Sequence, residues 1–147
     1  SLHAAEQGLP IDYRLSTASS LAETGAQFDV VLNMEVVEHV ANVDAFMRDC
    51  ARLTARNGVM FVATINRTVR AWLFAIIGAE YVLRWLPRGT HRWGMFQKPA
   101  EITAHLNKGG LSARDSVGVA VNPFKRSMAI TRSLAVNYMM FSARSAH

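Results

Sequence analysis

The alternation of apolar and polar positions along this chain predicts strands and helices that follow one another. A short apolar run rich in β-branched residues, within 28–34, is typical of a strand covered on both faces, and 59–65 is predicted to be a second apolar strand. Between them, Asn42 can cap a helix whose apolar residues recur at helical spacing: Val43, Phe46, Met47, Cys50 and Leu53. Strand, helix and strand in succession predict an α/β fold with a parallel sheet.

Weaker patterns on either side extend this prediction. The chain opens with the end of a helix that Gly8 closes, and a third helix at 99–106 ends before Gly109 and Gly110. A polar loop with one helical turn is predicted at 16–26. Further strands are predicted at 11–15, 111–121 and 134–141.

The glycine-rich turn that usually follows the first strand of a doubly wound sheet is missing from this sequence. None of the nine glycines belongs to a G-x-G-x-x-G or G-x-x-x-x-G-K arrangement. We therefore expect the chain to be the carboxy-terminal portion of a larger sheet, lacking the first strands and the glycine-rich loop.

The polar residues directly after the strand at 28–34 are the strongest candidates for a functional site. In open α/β sheets, ligands bind just beyond the carboxyl ends of the strands, and here Asn33, Met34, Glu35, Glu38 and His39 follow at once. A helical turn would project the last three to one side, because their spacing is i, i+3 and i+4. Two carboxylates suit a hard divalent cation, and a histidine is a more usual ligand of manganese or zinc than of magnesium. An ordinary alternative stays open, since carboxylates favour a helix start and a histidine there often only caps or packs.

Composition narrows the classes of protein that fit. The net charge of +5 permits contact with acidic lipids, nucleic acid or anionic metabolites. No stripe of basic residues interleaved with aromatics lies outside 67–93, so nucleic acid is not expected as a partner. Cys50 is the single cysteine, which excludes an internal disulfide and any multi-cysteine zinc site.

The segment 67–93 combines tryptophan with arginine. It holds all three tryptophans of the chain and five arginines against one acid, Glu80. Its apolar stretch, 71–79, is shorter than the roughly 20 residues that a transmembrane helix needs. Such a segment is typical of a helix lying in a membrane interface, or of a lid over a hydrophobic substrate. A buried crossover helix is the alternative, and it would leave the clustering of arginine and tryptophan unexplained.

Several motifs together resemble those of a known enzyme family. The residues FDVV followed by MEVVEHV, within 28–40, are similar to the motif after strand 4 of class I S-adenosylmethionine-dependent methyltransferases. The residues LTARNG leading into VMFVAT, within 53–64, are similar to their helix–glycine–strand 5 motif. More specific segments resemble the ubiquinone biosynthesis O-methyltransferases over essentially the whole chain: 64–67, 78–84, 87–91, 122–124 and 136–139.

This resemblance implies a Rossmann-like class I methyltransferase sheet, present here as one partial domain, 1–147, with the apolar insertion at 67–93. By motif position, Met34 would contact S-adenosylmethionine, with a plain core role as its alternative. Ala18 and Ser19 would approach the adenine. The family's proposed ligands for magnesium or another divalent metal fall on Glu35, Glu38 and His39. His39 has a second role open to it as the catalytic general base that takes a phenolic proton.

The activity that the resemblance implies is O-methylation of a polyprenyl-substituted phenol or catechol in ubiquinone biosynthesis. The implied partners are the polyprenyl phenol or quinone substrate, a membrane surface and other ubiquinone-biosynthesis proteins. The implied location of the protein is the cytoplasmic face of a bacterial inner membrane, or the matrix side of the membrane in mitochondria. A methyltransferase for another small hydroxylated acceptor and a non-catalytic membrane-docking fragment are the alternatives. The chain alone is expected to be inactive.

Overall fold

The computed structural model of the chain describes residues 4, 6–73, 93–122, 125 and 127–144. Its strands are β1 (Phe28–Met34), β2 (Thr54–Ile65), β3 (Leu111–Asn122), β4 (Ser127–Thr131) and β5 (Asn137–Arg144). Its α-helices are α1 (Ala18–Glu23), α2 (Val43–Leu53), α3 (Val69–Ala71) and α4 (Pro99–Lys108), and 3-10 turns lie at Val37–His39 and Trp93–Met95. Most of the insertion at 67–93 lies outside the described residues, because the structure does not describe residues 74–92.

The described strands form one sheet in the order β1-β2-β5-β3-β4. β1 and β2 run parallel, with α2 in the crossover between them, whereas the other neighbours pair antiparallel. The α/β prediction is confirmed, but the parallel prediction is right only for this one pair. Only residues 123–126 separate β3 from β4. That length suits an antiparallel hairpin and is far below the dozen or so residues of a parallel crossover.

α2 and α4 pack on one face of the sheet and enclose the main core. Asn42 caps α2 as predicted, because its Oδ1 accepts a hydrogen bond from the N–H of Ala45 at 3.0 Å. Burial raises the pKa of the Cys50 thiol to about 12, which makes this residue inert as a nucleophile. The core joins the inner sides of both helices to alternate residues of the strands: Met47, Cys50, Ala51, Met60, Val62, Ile102, Leu106, Leu111, Tyr138 and Met140.

The opposite face of the sheet is open to solvent along β1 in the described part of the chain. Val30, Leu32 and Met34 alternate along β1 on this face and are 53%, 65% and 44% exposed. The prediction that both faces of this strand are covered is therefore wrong for the described structure. The reason is that β1 is an edge strand and that α2 and α4 both lie on the other face.

Two short segments also differ from the prediction. Residues 11–15 carry no strand, and the apolar Ile11, Tyr13 and Leu15 among them are exposed. Alternation over five residues predicts a strand only where a neighbouring strand accepts its backbone. β4 was not predicted, because four of its five residues are exposed and it has no buried apolar pattern.

Candidate functional site

The candidate site lies at the carboxyl end of β1, where the chain turns away from the sheet at Glu35. Among the described residues, Glu35 is the one non-glycine residue with a positive φ, 54°. Its N–H donates to the carbonyl oxygen of Ala63 at 2.9 Å, which carries the pairing with β2 one residue further. This left-handed backbone costs a side chain about 1–2 kcal/mol. Strain of this kind concentrates at functional sites.

The 3-10 turn Val37–His39 then carries Glu38 into the protein. Glu38 is only 5% exposed, and its Oε2 accepts a hydrogen bond of 2.8 Å from the Thr64 hydroxyl near the end of β2. Its other oxygen, Oε1, is buried without a hydrogen-bond partner in the described part of the chain. Because an unsatisfied buried acceptor is costly, Oε1 is suited to receive a proton donor or a cation.

Glu35 and Glu38 form an acidic pair. Glu35 is exposed as a residue, but partial desolvation of its carboxyl group raises the pKa to about 8. The Glu38 carboxyl group adds to the rise by favouring a shared proton and by repelling a second negative charge. The two carboxyl groups therefore favour sharing one proton over carrying two negative charges. A cation between the two carboxyl groups would take the place of that proton.

His39 stands apart from this pair. It ends the 3-10 turn and is exposed, whereas Glu38 faces the interior and Glu35 lies before the turn. The prediction that one helical turn projects all three to one side is therefore wrong. Within the described ranges, no three Asp, Glu, His or Cys side chains are grouped so that they could hold a metal ion. The oxygens of Glu35 and Glu38 fit a hard cation, and His39 would have to turn inward to join them.

The residues expected at the cofactor lie on different sides of the sheet. Met34 ends β1 with its side chain on the open face. Ala18 and Ser19 open α1, which packs on α2 over the covered face. Ala18 packs against the main core, and Ser19 is exposed. Their contact with a cofactor stays a prediction.

The structure adds Thr64, which the sequence analysis left out of the site, and it buries Asn33, which that analysis had included. Thr64 holds Glu38, as described above, and is itself fully buried. Asn33 is 2% exposed, and its Oδ1 has no hydrogen-bond partner among the described residues. The rule that ligands lie beyond strand ends, applied to β2 as it was to β1, would have pointed to Thr64.

Both ends of the insertion are fixed at the carboxyl end of β2, beside the acidic pair. Ile65, Ala71 and Phe96 form a second buried cluster there. The N–H of Gln97 donates to the Ile65 carbonyl oxygen at 3.2 Å, and the Trp93 indole donates to the Thr68 carbonyl oxygen at 3.3 Å. In the described part of the chain, no helix has both the length and the apolar character needed to cross a bilayer.

Comparison with known proteins bears on both family and fold. A family profile described as "Methyltransferase domain" matches residues 1–62. The chain is 57% identical over 145 residues to the ubiquinone biosynthesis O-methyltransferase of Brucella anthropi, and 50% identical over 144 residues to that of Bartonella tribocorum. These matches cover 99% and 98% of this chain. The chain is thus similar, along nearly its whole length, to the ubiquinone biosynthesis O-methyltransferases.

Each of these two relatives is longer than the chain, which spans 58% of their length. Among solved structures, the fold is similar to that of the trans-methyltransferase CalH in complex with SAH, with a TM-score of 0.62 at 17% sequence identity. That likeness covers 98% of this chain and 40% of the other. The predicted Rossmann-like class I methyltransferase fold is confirmed.

Proposed function

We propose that the protein to which this chain belongs transfers a methyl group from S-adenosylmethionine to a phenolic oxygen of a polyprenyl-substituted phenol or catechol in ubiquinone biosynthesis. The observation that carries the proposal is the 57% identity, across 99% of the chain, to a protein of that name. The strained, acidic end of β1 supplies residues suited to such chemistry.

The protein contributes little covalent chemistry to this reaction. The sulfonium methyl group is already electrophilic, so the protein has to orient the acceptor and remove the proton of a phenol with a pKa of about 10. The phenolic oxygen bonds to the methyl carbon, and the carbon–sulfur bond breaks with its electron pair staying on sulfur. The proton passes to an imidazole nitrogen of His39, which is exposed at the rim of the site.

Glu35 and Glu38 would hold a divalent cation, with His39 as the third ligand when it does not serve as the base. The support is the unpartnered buried Oε1 of Glu38 and the neighbouring carboxyl group of Glu35. When bound, the cation would lower the pKa of the acceptor hydroxyl. Magnesium, manganese and zinc are the candidates.

Calorimetric titration with each of these three cations tests the metal site without an activity readout. We expect Glu35→Gln and Glu38→Gln to weaken binding by tenfold or more, because each removes a charged oxygen ligand. Glu23→Gln, at the exposed end of α1, is the matched control. Equal cation affinity in all four proteins would remove the metal from the proposal.

Methyl transfer to a short-chain polyprenyl catechol, followed by mass spectrometry, tests the base. Loss of a general base lowers kcat by roughly 10²–10⁴-fold, so we expect that loss in His39→Ala with unchanged affinity for S-adenosylmethionine. His105→Ala is the control, since its imidazole contacts Asp44 at 3.1 Å between α2 and α4. Full activity of His39→Ala would reject this role. Equal turnover of an unprenylated catechol would favour the alternative of another small hydroxylated acceptor.

A membrane surface is the proposed partner next to the site. Val69, Trp72 and Leu73, at the start of the insertion, are 71%, 41% and 51% exposed. A polyprenyl substrate partitions into the bilayer, so an apolar surface beside the acceptor site would bring the enzyme to it. Sedimentation with vesicles tests this, and a vesicle affinity left unchanged by Val69→Gln with Trp72→Gln would contradict it. Other ubiquinone-biosynthesis proteins are a further proposed partner, which pull-down from a relative's membranes would test.

A further inference from the structure

The hairpin of β3 and β4 exposes an apolar patch at the opposite edge of the sheet from β1. The pairs Val121↔Met128 and Val119↔Ile130 place four apolar side chains on one face of the hairpin. Val121, Met128 and Ile130 are 47%, 76% and 79% exposed. Two long apolar side chains so exposed on one short strand form a patch rather than scattered surface residues.

Positive charge accompanies this patch. Lys125 in the turn and Arg132 just after β4 are both exposed. The sequence contains no Asp or Glu after Asp115, so no acidic residue on the outer part of β3, on β4 or on β5 offsets them. The hairpin is therefore both apolar and cationic, which is the chemistry that anionic lipid surfaces attract.

The strand register shows where the hairpin projects. Ile65, the last residue of β2, lies in one row with Asn137, Val119 and Ile130. β3 continues beyond that row to Asn122, so the hairpin extends about 10 Å past the end of β2 at 3.3 Å per residue. This is the end of the sheet where Glu35 and Val69 lie. One flat surface can therefore touch both the hairpin and the exposed start of the insertion.

We propose that the β3–β4 hairpin is a second membrane-docking surface, which inserts Met128 and Ile130 into the headgroup region while Lys125 and Arg132 contact anionic lipid. It adds to the membrane contact proposed at Val69–Leu73 and does not depend on methyl transfer. A second copy of the chain fits the exposed β4 strand less well than an anionic lipid surface does. Antiparallel pairing of two β4 strands about Ala129 would bring Lys125 of one copy beside Arg132 of the other, and like charges so placed repel.

Vesicle sedimentation with matched variants tests the hairpin. The vesicles are phosphatidylcholine alone, and an equimolar mixture of phosphatidylcholine and phosphatidylglycerol. We expect Lys125→Gln with Arg132→Gln to weaken binding to the mixed vesicles by about 5-fold per charge removed. Met128→Gln with Ile130→Thr should weaken binding to both kinds of vesicle by about tenfold or more, since the inserted hydrocarbon is lost. Arg56→Gln with Arg114→Gln removes the same charge at the other end of the sheet and should bind as the wild type.

A local readout separates this surface from the insertion. An environment-sensitive dye on Ile130→Cys should shift to shorter wavelength on mixed vesicles, also when Val69→Gln and Trp72→Gln are present. The proposal is overturned if the dye does not respond, or if the hairpin variants sediment like the wild type. A hairpin variant that changes the oligomeric state or the thermal stability while sedimenting normally also overturns it, because the patch then packs against protein. Loss of binding only in the Val69 and Trp72 variants would reject the hairpin as a docking surface and would support the membrane contact at Val69–Leu73.

Discussion

Replacing Thr64 by valine removes one hydroxyl from the site and almost nothing else. The two side chains have nearly the same volume, so the substitution leaves no cavity beside the fully buried Thr64. What disappears is the 2.8 Å hydrogen bond from Oγ1 to Glu38 Oε2. Since Glu38 Oε1 already lacks a hydrogen-bond donor in the described structure, the carboxyl group would then keep only the proton that it shares with Glu35.

The expected magnitude follows from the charge of the acceptor. A hydrogen bond to an ionised group contributes about 1.5–3 kcal/mol, against about 1 kcal/mol for one to a neutral carbonyl. Thr54→Val is the matched control, because its equally buried hydroxyl donates to the backbone carbonyl of Cys50 at 3.0 Å. We therefore expect Thr64→Val to lower the free energy of unfolding by about 2–3 kcal/mol, and Thr54→Val by about 1 kcal/mol.

Urea and thermal unfolding, followed by circular dichroism, measure both changes. A loss of 2–3 kcal/mol corresponds to roughly 5–10 °C in Tm for a domain of this size. The double-mutant cycle with Glu38→Gln isolates the pair, and we expect a coupling of about 1–2 kcal/mol. The reasoning is refuted if Thr64→Val costs no more than Thr54→Val, or if its cost is unchanged in the Glu38→Gln background.

Two further predictions concern pH and packing. The folded chain binds the Glu35 proton more tightly than the unfolded chain does, with a pKa of about 8 against 4.5, so this residue's contribution to stability is present at low pH and lost as pH rises through about 8. Urea unfolding at about pH 5 and about pH 9 should show a smaller fall in Glu35→Gln than in the wild type, and equal falls would contradict the shift. Gly118→Ala should cost about 3 kcal/mol, because its Cβ would lie 1.8 Å from the Ser133 carbonyl oxygen. Gly94→Ala, with nothing within 4 Å, should cost close to nothing, and equal Tm values for the two would count against the packing.

Local pattern was enough to predict the strand and the helix that flank the candidate site. The apolar run at 28–34 predicted β1 to the residue, and Asn42 with its helical spacing predicted α2. These predictions hold because periodicity, capping and strand-end polarity are properties of neighbouring residues. The same local logic placed the acidic pair beyond β1.

Tertiary structure decided how that end is built. The sequence could not show that β1 lies at an edge with one face open, because strand order depends on pairing between distant segments. Nor could it show that Glu38 turns inward to Thr64 while His39 stays outside, since the hydrogen bond joins residues that are 26 positions apart. Sequence determined which chemistry gathers at the strand end. Long-range packing determined which of those groups are buried, and burial is what sets the pKa of a carboxyl group and its ability to hold a cation.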